Sequence, residues 1–202
     1  MAEIARRVPA GRVRVGIDGR DGAGKTEFGD ELGAALTALG RPVLRASGDG
    51  FHRPRAERYR RGRDSGLGYW LDAFDLSRFA GDLLVPFAAG EPVRTAVHDV
   101  RTDAALDLAP VLPAPGTVLV VDGMFLHRDE LAAYWEFSVY LHVDLAVSLA
   151  RLHARDGPPP TATDRYAEAQ RIYAAACDPA ARATLRLDNS DLAAPRVITP
   201  AE

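Results

Sequence analysis

The residues Gly19-Arg20-Asp21-Gly22-Ala23-Gly24-Lys25-Thr26 carry the sharpest chemical signal in the chain, fitting the pattern G-x-x-x-x-G-K-[ST] at every fixed position. In such a loop, backbone N–H groups close around phosphate oxygens, and the helix that follows aims its N-terminus at the negative charge. Gly19, Asp21, Gly22, Ala23, Gly24, Lys25, Thr26 and Glu27 are therefore expected to frame the phosphates of a nucleotide. Lys25 reaches the β- and γ-phosphates, and the Thr26 hydroxyl helps to hold magnesium. Composition isolates this lysine: among 25 basic Lys and Arg residues, every other one is arginine. A compact ammonium fits a tight phosphate cradle that a planar guanidinium fits poorly.

Carboxylates complete the chemistry. Asp122 ends the apolar run Thr117-Val118-Leu119-Val120-Val121, where an acid supports magnesium directly or through water. Asp49 follows a shorter strand-like run and is the candidate base that orients and deprotonates an attacking hydroxyl. Each has a structural alternative as an ordinary turn residue, Asp49 standing before a glycine. His52 either contacts the acceptor or is a surface loop histidine. Arg151 and Arg155 lie four apart on one predicted helix face, immediately before Gly157-Pro158-Pro159-Pro160. They suit a lid over roughly residues 151–165 that brings positive charge onto a transferring phosphoryl group; ion pairing with Asp144 or Asp156 is the alternative. Arginines at 53, 55, 58, 60, 61 and 63 make either a solvated charged segment or a basic arm over the site.

These residues need a scaffold. A 202-residue chain with 47% hydrophobic and 26% charged residues is long enough for a substantial core, and one domain over residues 1–202 is the expectation. A net charge of −3 gives no global basic field, which disfavours nucleic acid and membrane surfaces as partners. The single cysteine, Cys177, cannot form an internal disulfide, and no apolar run approaches the length of a membrane span. A cytoplasmic protein is expected.

Alternation in Arg12 to Asp18 predicts a first strand running into the phosphate loop, and Thr26 to Leu39 a helix, closed by Gly40. Pro42 to Ala46 gives the second strand of a βαβ unit. Asp72 to Ala89 predicts a helix closed by Gly90, and Glu91 to Ala109 a short hairpin or loop carrying His98 and Asp99. The run at 117–123 predicts a central strand buried on both faces. Strand 137–143, helix 144–155, helix 163–176 and short strands at 185–187 and 196–199 follow. This alternation predicts an α/β three-layer P-loop NTPase fold with a mainly parallel sheet flanked by helices. A guanine-reading Asn-Lys-x-Asp loop is impossible with Asn189 as the sole asparagine and Lys25 as the sole lysine, so GTP is disfavoured.

With these motifs in order, the chain resembles the uridine kinase and phosphoribulokinase-like family of P-loop kinases over most of residues 13–199. The matches are the phosphate loop, Asp49-Gly50-Phe51-His52 beside the family's Asp-x-Phe-Tyr, Asp72-Ala73-Phe74-Asp75 beside Asp-Ala-Phe-Asp, Asp122-Gly123 beside Glu-Gly, and Arg151 with Arg155-Asp156 as the lid helix. The resemblance implies transfer of the γ-phosphoryl group of ATP, with magnesium, to a hydroxyl of a small molecule, Asp49 acting as base. It also marks departures. Tyr69 stands where uridine kinases carry a ribose-binding Asp; His98-Asp99 stands where they have Tyr-Asp, with Asp103 in place of a following His; and the lid has Gly157-Pro158 instead of Arg-Gly. His52, Tyr69, His98, Asp99 and Arg165 are the expected acceptor pocket, which leaves a nucleoside or another hydroxylated metabolite as substrate. Two other classes stay open: a nucleotide-binding regulatory protein without phosphotransfer, and a nucleic-acid end kinase using the 53–63 segment.

Overall fold

The structure, a computed structural model, describes residues 1–156 and 165–198, with the side chains of Arg155 and Asp156 outside the described part. The Pro-rich turn expected at 157–160 and the first residues of the helix expected from 163 also lie outside it. Among the described residues the strands are β1 (Val13–Gly19), β2 (Val43–Ser47), β3 (His98–Asp99), β4 (Ala104–Ala105), β5 (Val118–Asp122), β6 (Phe137–His142), β7 (Leu185–Asp188) and β8 (Arg196–Val197). The main sheet has the order β2-β5-β1-β6-β7-β8, parallel up to β7, with β8 antiparallel at the edge. The β3–β4 pair is the small hairpin expected between residues 91 and 109.

Burial explains the layers. Along β5, Val118 and Val120 enter one core with Val13, Val15 and Ile17 of β1 and with Phe28, Leu32 and Leu36 of the helix Lys25–Ala38. Leu119 and Val121 enter the other, with Phe51, Phe79, Leu83 and Phe87. A strand clothed on both faces has no use for a polar alternation, and each large side chain so buried contributes about 1.5–3 kcal/mol. The three-layer α/β architecture expected from the sequence is thus the one observed.

The helix expected over 72–89 is divided. A separate helix, Gly66–Asp72, comes first, its N-terminus capped by the Ser65 hydroxyl accepting from the Gly68 N–H at 3.0 Å. Phe74 is then extended, bridging to His52, and Asp75 caps a new start by accepting from the Arg78 N–H at 3.0 Å. Leu76–Arg78, Phe79–Leu84 and Val85–Ala89 run on consecutively, the middle segment in π geometry. Pro86 has no N–H to give back to Asp82, whose carbonyl accepts from the Arg94 N–H at 2.9 Å instead.

β1 lies between β5 and β6, both later in the chain, so the sheet reverses direction of growth across β1. In open parallel sheets the crevice at the carboxyl end of such a strand is where ligands bind. The phosphate-loop sequence starts at that end. No helix among the described residues is long and apolar enough to cross a membrane.

Candidate active site

The loop after β1 requires a left-handed backbone at Gly22 (φ +72°) and Gly24 (φ +80°), and a Cβ on Gly22 would stand 2.8 Å from the Ser148 carbonyl oxygen. Three side chains tie its carbonyls down from outside. The Ser148 hydroxyl donates to Asp21 O at 2.7 Å, the Asn189 amide to Ala23 O at 2.7 Å, and Arg151 Nη1 to Gly22 O at 3.3 Å. Lys25 curls back over the loop, Nζ donating to Arg20 O at 2.9 Å. Burial lowers its pKa, opposed by the carboxylates of Asp21, Asp18, Asp49 and Asp122.

Parallel register sets Ile17 and Ser47 beside Asp122, which brings the ends of three strands to one point. There the Thr26 hydroxyl donates to Asp122 Oδ2 at 2.9 Å, joining the first turn of the phosphate-loop helix to β5. Arg45 Nη2 donates to the other carboxylate oxygen at 3.0 Å, and the Ser47 hydroxyl approaches Oδ2 at 3.4 Å. A hydroxyl and a carboxylate in contact are hard oxygen donors of the kind magnesium selects, so these residues fit the ion.

A cleft of about 530 Å³ opens over this point, lined on one part by Asp21, Gly22, Gly24, Lys25, Thr26 and Glu27, with Asp122 beneath. Asp49, His52, Tyr69, Val100, Met124 and Tyr166 line another part. Asp49 is exposed on the turn Gly48–Phe51, which the Ser47 hydroxyl caps by accepting from its N–H at 3.3 Å. His52 is buried, its ring 4.3 Å from that of Phe74 and its Nδ1 3.0 Å from the Asp49 carbonyl oxygen. Burial lowers the His52 pKa, against the pull of Asp49. Burial, then the Asp49 charge, holds the Tyr69 hydroxyl protonated well above its ordinary range.

The other expected site residues are placed differently. His98 and Asp99 stand on the hairpin and do not line the cleft: His98 Nε2 is 3.1 Å from Asp103, and Asp99 accepts from the Arg101 and Thr102 N–H groups at 2.8 and 3.2 Å. Arg165 stacks over the rings of Tyr59, Tyr69 and Tyr166 at 5.2, 5.2 and 4.7 Å and is not among the residues lining the cleft. Arg151 does line the cleft, while its Nη2 donates to Asn189 O and Ser190 O at 2.9 Å each. The Arg155 side chain is outside the described residues. In the arginine-rich segment, Arg58 pairs with Asp103, and Arg60 and Arg61 both pair with the buried Asp72.

Sequence reasoning missed Arg45, Ser148 and Asn189 as supports, and Val100, Met124 and Tyr166 as lining. Two signals lie in the sequence: an arginine inside an apolar strand, and the chain's sole asparagine. Asp18 also acquires a distinct task. Fully buried, it accepts from the Gly19 N–H at 2.7 Å, from His127 Nδ1 at 2.9 Å and from the Tyr173 hydroxyl, while His127 Nε2 meets Ser138 Oγ at 2.9 Å. This network fastens the base of the loop from behind.

Whole-fold similarity agrees with this geometry. The chain is similar to a possible uridine kinase from Bacillus stearothermophilus, at 24% identity over 92% of this chain and 94% of that one, with a TM-score of 0.75. It is similar also to a protein from Silicibacter sp. TM1040 named as a fructose transport system kinase, at 26% identity, 87% and 94% coverage and a TM-score of 0.64. A D-glycerate 3-kinase from Cryptococcus neoformans shares the fold more distantly, at 11% identity, 92% and 89% coverage and a TM-score of 0.52. The sequence matches no family model and no curated protein. The resemblance to uridine kinase-like P-loop kinases drawn from five short motifs therefore extends to the whole fold.

Proposed function

We propose that this chain is an ATP-dependent phosphotransferase that moves the γ-phosphoryl group to a hydroxyl of a small molecule. The observation that carries the reading is the 2.9 Å contact of Thr26 with Asp122 in a cleft that also contains Lys25 and the exposed carboxylate of Asp49. Thr26 and Asp122 would hold magnesium, which would offset the negative charge of the phosphates. Lys25 exchanges its carbonyl partner for the β- and γ-phosphate oxygens. Asp49 accepts the proton of the acceptor hydroxyl as that oxygen forms its bond to the γ-phosphorus. The bond from the γ-phosphorus to the β,γ-bridging oxygen breaks, and ADP leaves with the electron pair. Arg151, which lines the cleft, adds positive charge to the transferring group. The kinase names of the structural neighbours support the same class of chemistry.

His52, Tyr69 and Tyr166, with Val100 and Met124, give the acceptor a half-aromatic wall, which supports a nucleoside or a comparably flat hydroxylated metabolite. Tyr69 in place of a ribose-binding acid leaves uridine itself as one acceptor among several. The test is ATP consumption against a panel of nucleosides, vitamins and sugars, with the product identified by mass. An acceptor that gains one phosphoryl group is the expected result. Nucleotide binding without any stimulating acceptor would move the reading to a regulatory protein.

A further inference from the structure

The phosphotransfer reading gives Asp122 to magnesium, yet one oxygen of that carboxylate is held by Arg45, a residue in the middle of β2. The guanidinium is fastened on several sides: Nη1 donates to Val120 O at 2.7 Å, Nε to Asp30 Oδ1 at 2.9 Å, and Nη2 reaches Thr26 O at 3.4 Å besides Asp122 Oδ1. It thereby touches the phosphate-loop helix, the β5 backbone and the acid at the end of β5 together. Room for it comes from Gly29, one turn into the helix. A Cβ at Gly29 would stand 2.5 Å from Nη2 and 2.8 Å from Cζ of Arg45. Glycine is otherwise a poor choice inside a helix, because it costs stability relative to alanine. Its presence here matches a need for close approach by the guanidinium.

We infer that Arg45 is a positioning residue for the metal site, holding Asp122 Oδ1 so that Oδ2 stays beside the Thr26 hydroxyl, and that Gly29 is kept small to admit it. The fork of a guanidinium fixes a carboxylate's orientation as well as its charge, in the manner of the partners that orient metal ligands from outside the coordination shell. Lysine offers a single point charge and cannot hold Val120 O, Asp30 and Asp122 simultaneously.

The inference rests on the proposed function, so the test is read in binding and not in turnover. ADP affinity is measured by calorimetry in the wild type and in Arg45→Gln, Arg45→Lys and Gly29→Ala, across a magnesium titration and in EDTA. In Arg45→Gln and Gly29→Ala, the magnesium concentration at which ADP affinity is half-enhanced should rise about tenfold, which corresponds to about 1.4 kcal/mol. Affinity in EDTA should stay within about twofold, and Arg45→Lys should recover little. Gly29→Ala is the decisive variant, because a helix gains stability from that change while the site loses its brace. Its melting temperature should hold or rise as its magnesium requirement worsens. An unchanged magnesium requirement in folded Gly29→Ala would overturn the inference, as would tighter magnesium dependence in Arg45→Gln, which would mark Arg45 as a competing cation. Equal losses with magnesium and in EDTA would reduce Arg45 to a general structural role and likewise overturn it. A wild type that binds ADP without any magnesium effect would overturn both this inference and the metal-dependent reading beneath it.

Discussion

The two ends of the cleft are built on different principles. The phosphate end is a single stretch of chain, Gly19 to Glu27, braced by β5 and by Ser148, Arg151 and Asn189. The end proposed for the acceptor is gathered from five places in the chain: the turn that carries Asp49 and His52, and residues 69, 100, 124 and 166. A loop whose backbone makes the contacts must keep its glycines and its lysine in fixed order. A pocket made by side chains needs only that several elements arrive at one place. On the proposed function, donor recognition is consequently the part that one sequence states, and acceptor recognition the part that a fold assembles.

Separating the two ends by mutation sharpens that contrast. The largest effect is expected at their junction. Asp49→Asn should lower turnover by about 10²–10⁴-fold, the usual scale for a general base, while calorimetric ATP affinity is retained. Turnover within a few-fold of wild type would remove Asp49 from the chemistry. On the donor side alone, Asn189→Ala removes the 2.7 Å bond to Ala23 O and should weaken nucleotide binding about tenfold, with the acceptor KM unmoved. Should the acceptor KM rise instead, the two ends are not separable as described.

A smaller change is expected from Tyr69→Phe. Losing a hydroxyl held protonated in the wall of the cleft should alter the acceptor KM by a few-fold, about 0.5–1 kcal/mol, and leave the ATP KM alone. Steady-state kinetics with each substrate varied in turn checks it. The smallest expected effect is a pH dependence of stability. Burial holds the His52 pKa below its ordinary 6.5, so the unfolded chain binds more protons there than the folded one. Stability should therefore fall as pH drops below about 6.5 toward the lowered value. Thermal melts between pH 7.5 and roughly 5 should show a component that His52→Gln lacks.

Much of the sheet was legible because its signals are local. β1, β2, β5, β6 and β7 all occur within a residue of the bounds the sequence placed them at, and the phosphate-loop helix differs by a residue at its ends. The helix Gly66–Asp72 was missed: Gly66, Gly68 and the preceding arginines obscure its periodicity, and its stability comes partly from a distant residue. Glu168 accepts from the Gly66 N–H at 3.0 Å, across 102 positions of sequence. The same helix carries Tyr69, which is why the acceptor wall was harder to read than the loop. His98 and Asp99 were drawn into the pocket by motif order, yet Asp103, with φ +60°, turns the hairpin so that His98 faces Asp103 and Asp99 caps the turn. Motif order fixed the segment and said nothing of which face would look inward.

The isolation of Lys25 has a practical side. It is the one lysine in these 202 residues, and burial makes its neutral, nucleophilic form easier to reach than in an ordinary surface lysine. An amine-directed acylating reagent therefore has a single internal target, at the centre of the nucleotide cradle. Mass gained at that one position, with and without a competing nucleotide, becomes a direct meter of how much of the protein population has its phosphate loop filled.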